Sequence, residues 1–212
     1  MMIAVALLIA AVVAVSFLYP RFLGDIASFA LMVPVLGFTA WYFIDWGGLS
    51  VGGIVRPLAI GLGLGVMLFA AGLTLSADRP RAFLTNSFRG LRLSTAKADH
   101  LSRLGFQAAI ILYEELIWRV FLSNALSMVM AVWLVVALSA LLFWFVAFED
   151  NWPLVPHSLE FFLFALVLGA LYLCSGSVLL VWTVHAPRNL LIISAEWQEQ
   201  AGSDGSVASH RS

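Results

Sequence analysis

From Leu104 to Phe148 the sequence runs for 45 residues with no proline and no glycine beyond Gly105, yet it carries Glu114, Glu115 and Arg119 in its first third. A single helix of that length would extend about 67 Å, more than twice a hydrocarbon core of about 30 Å. The run must therefore fold back on itself. Ser123, Asn124 and Ser127 are the only soft positions, which predicts a break between Asn124 and Trp133. The charges constrain the fold further. Each acidic or basic side chain at the centre of a membrane helix is unfavourable by roughly 2.5 to 3.5 kcal/mol, so three of them must pair or face a polar cavity.

Other apolar runs flank this one. Hydrophobic residues make up 62% of the 212 positions and charged residues only 11%, which predicts an all-α, polytopic membrane protein rather than a soluble domain. Spans are expected at Met1 to Tyr19, Ile26 to Trp46, Pro57 to Leu75, Leu104 to about Asn124, about Trp133 to Phe148, Ser158 to Cys174 and Val178 to about Ile193, seven in all. The first has no basic leading region and no small-residue cleavage site before Pro20, and so reads as a retained helix. Gly61, Gly63 and Gly65 predict close helix packing in the third.

Between the third and fourth runs, Asp78 to Arg103 holds Arg79, Arg81, Arg89, Arg92, Lys97 and Arg103, six of the eleven basic residues. That excess predicts a cytoplasmic loop, an N-terminus outside the cell membrane and a cytoplasmic C-terminus. Leu84, Phe88 and Leu91 fall at helical spacing within it, as an interfacial amphipathic helix would place them; a solvated loop fits the same residues. The organisation expected is three N-terminal helices in 1–77, the basic segment 78–103, a four-helix core in 104–195 and a disordered polar tail in 196–212. The lone Cys174 excludes an internal disulfide and a cysteine-based zinc site, and no cofactor motif is present. With a net charge of −1 and its basic residues confined to one loop, the chain gives no reason to expect nucleic acid. The partners expected are the lipid bilayer and whatever the buried charges act on.

On an α-helix Glu115 and Arg119 stand four apart, acid first, and can neutralise each other. Glu114 lies about 100° away and lacks that partner, which leaves its carboxylate for another task, such as general base on water. In the last apolar run His185 and Asn189 also stand four apart and can offer hydrogen bonds to a developing oxyanion. Pro187 between them frees the carbonyl near Thr183 and predicts a kink or a first-turn position.

Glu-Glu-x-x-x-Arg on one helix, with Leu171-Tyr172-Leu173-Cys174-Ser175-Gly176-Ser177 and His185-Ala186-Pro187-Arg188-Asn189 on later ones, resembles the CPBP family of glutamic intramembrane endopeptidases, which includes the type II CAAX prenyl proteases. The resemblance covers about Leu104 to Leu191. It implies metal-independent hydrolysis of a peptide bond in a membrane-anchored protein or peptide. Glu114 would activate the water, Glu115 and Arg119 would support it, and His185 with Asn189 would stabilise the tetrahedral intermediate. That family also has a Phe-x-x-x-His motif about 33 residues after the first glutamate, where this chain has Ala147. Three readings stay open: His157 supplies the imidazole, Glu149 takes its place through Phe145-x-x-x-Glu149, or the chain is an inactive relative that binds a partner as an immunity or scaffold protein. A zinc site built from Glu114, His157 and His185 and a transporter lined by the same charges are the remaining rivals, weakened by the absence of His-Glu-x-x-His and of visible repeats.

Overall fold

A computed structural model describes residues 51–76, 80–94, 98–147 and 157–209, with the single positions 33, 34, 37, 39 and 41; towards several helix ends only the backbone is described. Among the described residues there are six helices: α1 (Val51–Ser76), α2 (Pro80–Ser94), α3 (98–127), α4 (Val132–Ala147), α5 (His157–Ser175) and α6 (Val178–Ser209). The helix α3 is composite. An α-helical stretch, Ala98–Glu115, passes into a π-helical turn, Leu116–Leu122, and returns to α-helix over Ser123–Ser127.

The long apolar run does fold back, through a turn at Met128 to Met130 that closes with hydrogen bonds from the Val129 and Met130 amides to the Leu126 carbonyl, each 3.0 Å. Asn124 is not part of that turn. It stays helical, and its Nδ2 donates to the Val120 carbonyl at 2.6 Å and to the Tyr172 hydroxyl at 2.8 Å. A half-buried amide in an apolar bundle is stabilised by such partners, so it pins two helices together where the sequence suggested only a soft spot.

Two of the helices are long and apolar enough to cross a membrane, Gly53–Thr74 and Val178–Ala195. The 14-residue run Val132–Phe145 and the run Leu159–Ser175 are shorter. At 16 residues α4 rises about 24 Å, less than the hydrocarbon core. The seven spans expected are therefore not seen: 1–19 and 26–46 lie outside the described residues apart from those single positions, and the described part has these two.

The helix α6 is the hub, packed against α1, α2, α3 and α5, while α4 lies on α5. Gly61 and Gly65 make the first of these contacts possible. A Cβ on Gly61 would overlap Thr183 Oγ1, and one on Gly65 would sit 2.5 Å from the Val184 carbonyl oxygen and 3.1 Å from that of Thr183. Thr183 is the residue whose carbonyl Pro187 deprives of its helical donor, and the glycine of α1 lies directly over it. Among the described residues Gly63 meets nothing within 4 Å, so the close contact rests on two glycines rather than three. Pro187 lies well inside α6 and not in its first turn.

The basic segment is helical in α2. Leu84 and Leu91 pack with Phe83 against Phe69, Leu73 and Leu191, and Ser87 is fully buried, whereas Phe88 is 46% exposed. The face chosen is the one that meets α6. The α3 helix begins at Ala98, inside the segment read as a loop. The α6 helix continues to Ser209 past the expected end near Ile193, into the tail read as disordered; Ala195, Glu196, Gln198, Glu199, Gln200 and Ala201 are all strong helix formers.

Between α5 and α6 the expected tight turn is present. Gly176 takes φ +64°, the left-handed conformation that suits glycine, and its amide donates to the Tyr172 carbonyl at 2.7 Å. Ser177 then caps α6, its Oγ accepting from the Leu180 amide at 3.2 Å.

Candidate active site

Four helices build the site: α3 and α6 supply its polar side chains, and α4 and α5 line it with Phe143 and Phe164. The π-helical turn begins immediately after Glu115, and all its residues from Ile117 to Leu122 are buried, Arg119 among them. An α-helix buries one stripe, so six consecutive buried residues require partners on every side. Here Trp118 and Phe121 pack with Val135, Ala140 and Phe143 of α4 and Phe161 of α5, and Val120 packs with Phe164, Leu168, Val181 and Val184 of α5 and α6. Such turns are frequent where a helix carries functional side chains.

Glu115 and His185 meet inside this packing. The imidazole Nδ1 and the Glu115 Oε1 are 2.7 Å apart, and both side chains are about 1% exposed. Glu115 Oε2 lies 3.4 Å from Arg119 Nε, within ion-pair range but without hydrogen-bond geometry. The expected self-contained Glu115–Arg119 brace is thus a three-membered cluster in which imidazole takes the shorter contact. The Arg119 guanidinium carbon instead lies 4.9 Å from the centre of the Phe143 ring. Phe143 and Phe164 also present edges to His185, with ring centres 6.1 and 5.3 Å away. Trp182 Nε1 donates to the Ala108 carbonyl at 2.9 Å and ties α6 to α3 close to the glutamates in sequence.

The cluster is left partly unsatisfied. Among the described residues, the buried Glu115 Oε2, all three Arg119 nitrogens and His185 Nε2 find no hydrogen-bond partner. Glu114 differs from Glu115 in being half-buried, and it interacts electrostatically with His185, Glu115 and Arg119. Asn189, also half-buried, accepts a hydrogen bond from Arg188 Nη1 at 3.2 Å through its Oδ1.

Of the candidate residues, the fold brings together Glu114, Glu115, Arg119 and His185. Asn189 follows one turn after His185 on α6 and contacts Arg188. His157 is the first residue of α5, and its side chain is not described; Glu149 lies outside the described residues. The register of α4 bears on the missing histidine. Phe143 is 4% exposed and packs against Arg119 and His185, whereas Phe145 is 58% exposed, so the phenylalanine in the site is the one followed four residues later by Ala147, not by Glu149.

Residues 100–191 match the family described as type II CAAX prenyl endopeptidase, Rce1-like. The chain carries a domain of this family. The Rce1-like domain begins within α3, takes in α4 and α5, and ends in α6 at Leu191, so α1 and α2 lie outside it. No curated protein and no solved structure matches the chain significantly. The family implies a protease acting on a protein substrate, and together with the two long apolar helices it marks the chain as a membrane protein.

Two site features escaped the sequence reading. Phe143 and Phe164 line the imidazole, and nothing distinguishes them in sequence from other aromatics in apolar runs. The other is an ion pair: Arg188 Nη2 to Glu160 Oε2 at 2.6 Å and Nε to Oε1 at 3.3 Å. Its signal was available, because Glu160 is an acid within an apolar run and must find a cation there. Among the described residues no three His, Cys, Asp or Glu side chains converge in a way that would hold a metal ion.

Proposed function

We propose that the protein is a metal-independent glutamic intramembrane endopeptidase that cleaves a membrane-anchored protein or peptide near its C-terminus. The observation that carries this reading is the 2.7 Å contact between Glu115 and His185, residues 70 positions apart that join the two motif-bearing helices in one buried cluster. A carboxylate on Nδ1 fixes the imidazole's orientation and leaves Nε2 directed elsewhere. Glu114 is the glutamate without a hydrogen bond to His185 and is less buried as a residue than Glu115, which suits it to act as general base on water. Glu115 and Arg119 hold the imidazole and the local charge, and His185, in the form with protons on both ring nitrogens, donates with Asn189 to the oxyanion of the tetrahedral intermediate. The substrate is presented from the bilayer, the N-terminus lies outside and the C-terminus in the cytoplasm; maturation or sorting of a C-terminal tail, or CAAX-like processing, fits such a site.

The reading is tested by reconstituting wild type and Glu114→Ala in proteoliposomes with membrane-anchored candidate substrates. Cleavage by wild type alone is expected, and it should persist with chelators present. Equal cleavage by both proteins would sink the assignment, and activity lost to chelators and restored by Zn²⁺ would favour a metalloprotease.

A second reading rests on Ala147. With alanine in register where the resembled family has its water-binding histidine, the chain fits a non-catalytic relative that holds a membrane partner. Ala147→His separates the two: an increase in cleavage supports a working site that lacks one group, while inactivity of both wild type and Ala147→His supports the binding protein.

A further inference from the structure

The Glu160–Arg188 pair stands beside the proposed site and has no part in the chemistry described so far. Both side chains are about one-tenth exposed, and the guanidinium is committed along two edges. Nε and Nη2 form a fork onto the two oxygens of Glu160, which holds the guanidinium plane to the carboxylate. Phe161 and Phe164 flank it, with ring centres 5.6 and 4.8 Å from the guanidinium carbon. The remaining terminal nitrogen, Nη1, reaches Asn189 at 3.2 Å. Gly72 of α1 makes room for the carboxylate: a Cβ there would lie 2.5 Å from Glu160 Oε1.

A guanidinium has donors only. The Asn189 atom that faces Nη1 must therefore be the carbonyl oxygen, because the alternative amide orientation would set donor against donor. With Oδ1 held in this way, the Nδ2 end turns away from Arg188 with both of its N–H groups available to another acceptor. An oxyanion needs a donor already aimed at it.

We infer that Glu160 and Arg188 are positioning residues that fix the side-chain amide of Asn189 with its N–H end directed for substrate. The inference rests on the proposed role of Asn189 as an oxyanion donor. Three helices converge on it: Gly72 of α1 accommodates Glu160 of α5, Glu160 aligns Arg188 of α6, and Arg188 orients Asn189. The helix α1 thereby reaches the site although it lies outside the Rce1-like domain.

The chain has four asparagines, Asn86, Asn124, Asn151 and Asn189, so selective ¹⁵N-asparagine labelling of the full protein in detergent micelles gives a short side-chain amide spectrum. The Asn189 signals are assigned by their loss in Asn189→Ala. Glu160→Gln should displace them and leave those of Asn86 in place. The double variant Glu160→Leu/Arg188→Met, which leaves no buried charge unpaired, should displace them as well and serves if Glu160→Gln fails to fold. In proteoliposomes the same variants should lower kcat on the order of 10- to 100-fold with KM unchanged, the effect expected of a misplaced group. In an Asn189→Ala background they should cost nothing more. Unmoved Asn189 signals overturn the inference, as does an equal kcat loss with and without Asn189. If wild type cleaves nothing, the protease reading fails while the amide spectrum still decides the positioning.

Discussion

Two buried polar clusters lie side by side in this bundle, and they differ in how completely they are satisfied. Around Glu160 and Arg188 three guanidinium nitrogens have oxygen partners, one bond being as short as 2.6 Å. Around Glu115, Arg119 and His185 the 2.7 Å contact is accompanied by a carboxylate oxygen, an imidazole nitrogen and a guanidinium that have no hydrogen-bond partner among the described residues. Leaving a buried polar group unmade costs about 1 to 3 kcal/mol, more when it is charged. A closed cluster repays its burial within the fold and so holds geometry. The Glu115 cluster keeps polar atoms that can still accept or donate, as a site for water and substrate requires.

The contrast breaks most sharply by mutation on the open side. Glu114→Gln should lower turnover about 10²- to 10⁴-fold in the proteoliposome assay, with thermal unfolding in detergent close to wild type. Comparable losses of turnover and of thermal stability would make Glu114 a structural charge. On the closed side, Glu160→Ala strands Arg188 and should destabilise by about 3 to 5 kcal/mol, read as a lower midpoint of denaturant unfolding in mixed micelles. Glu160→Leu/Arg188→Met should recover most of that stability; a double variant as unstable as the single one would contradict the view of the pair as self-sufficient. A smaller effect tests how α1 supports both clusters. Gly65→Val should cost about 1 to 3 kcal/mol by forcing α1 from the Val184 carbonyl, while Gly63→Ala should change stability little because nothing lies within 4 Å. Smallest of all, Tyr172→Phe removes the hydroxyl that accepts from Asn124 and should cost on the order of 1 kcal/mol. Asn124 keeps its bond to the Val120 carbonyl, so a larger loss would assign Tyr172 to the open cluster.

Much of the site was legible because charge in an apolar run must be accounted for. Glu114, Glu115, Arg119, His185, Arg188 and Asn189 stand out from their neighbours by type alone, and their helical spacing groups them into two faces. The turn at Ser175, Gly176 and Ser177 was equally plain, since only a few residues accept a left-handed φ or cap a helix. Asn124 misled, because an amide that softens an isolated helix becomes a fastening once a tyrosine from another helix reaches it. Leu84, Phe88 and Leu91 were legible as a helical face, but only packing divided them: Leu84 and Leu91 meet Phe69, Leu73 and Leu191, while Phe88 is exposed.

The sequence by itself determined that the chain is helical and apolar, that its long central run must reverse, and that a few ionisable groups stand where they need partners. Composition and spacing suffice for that, because the costs of bare backbone and bare charge in an apolar medium are local. Only the tertiary structure decided which charges pair. Glu115 turned to His185 rather than to Arg119 alone, Arg188 to Glu160, and Phe143 rather than Phe145 faced Arg119 and His185. Pairing across helices depends on the rotation and depth of each helix against the others, and those are set by glycine contacts and aromatic packing distributed over the whole bundle.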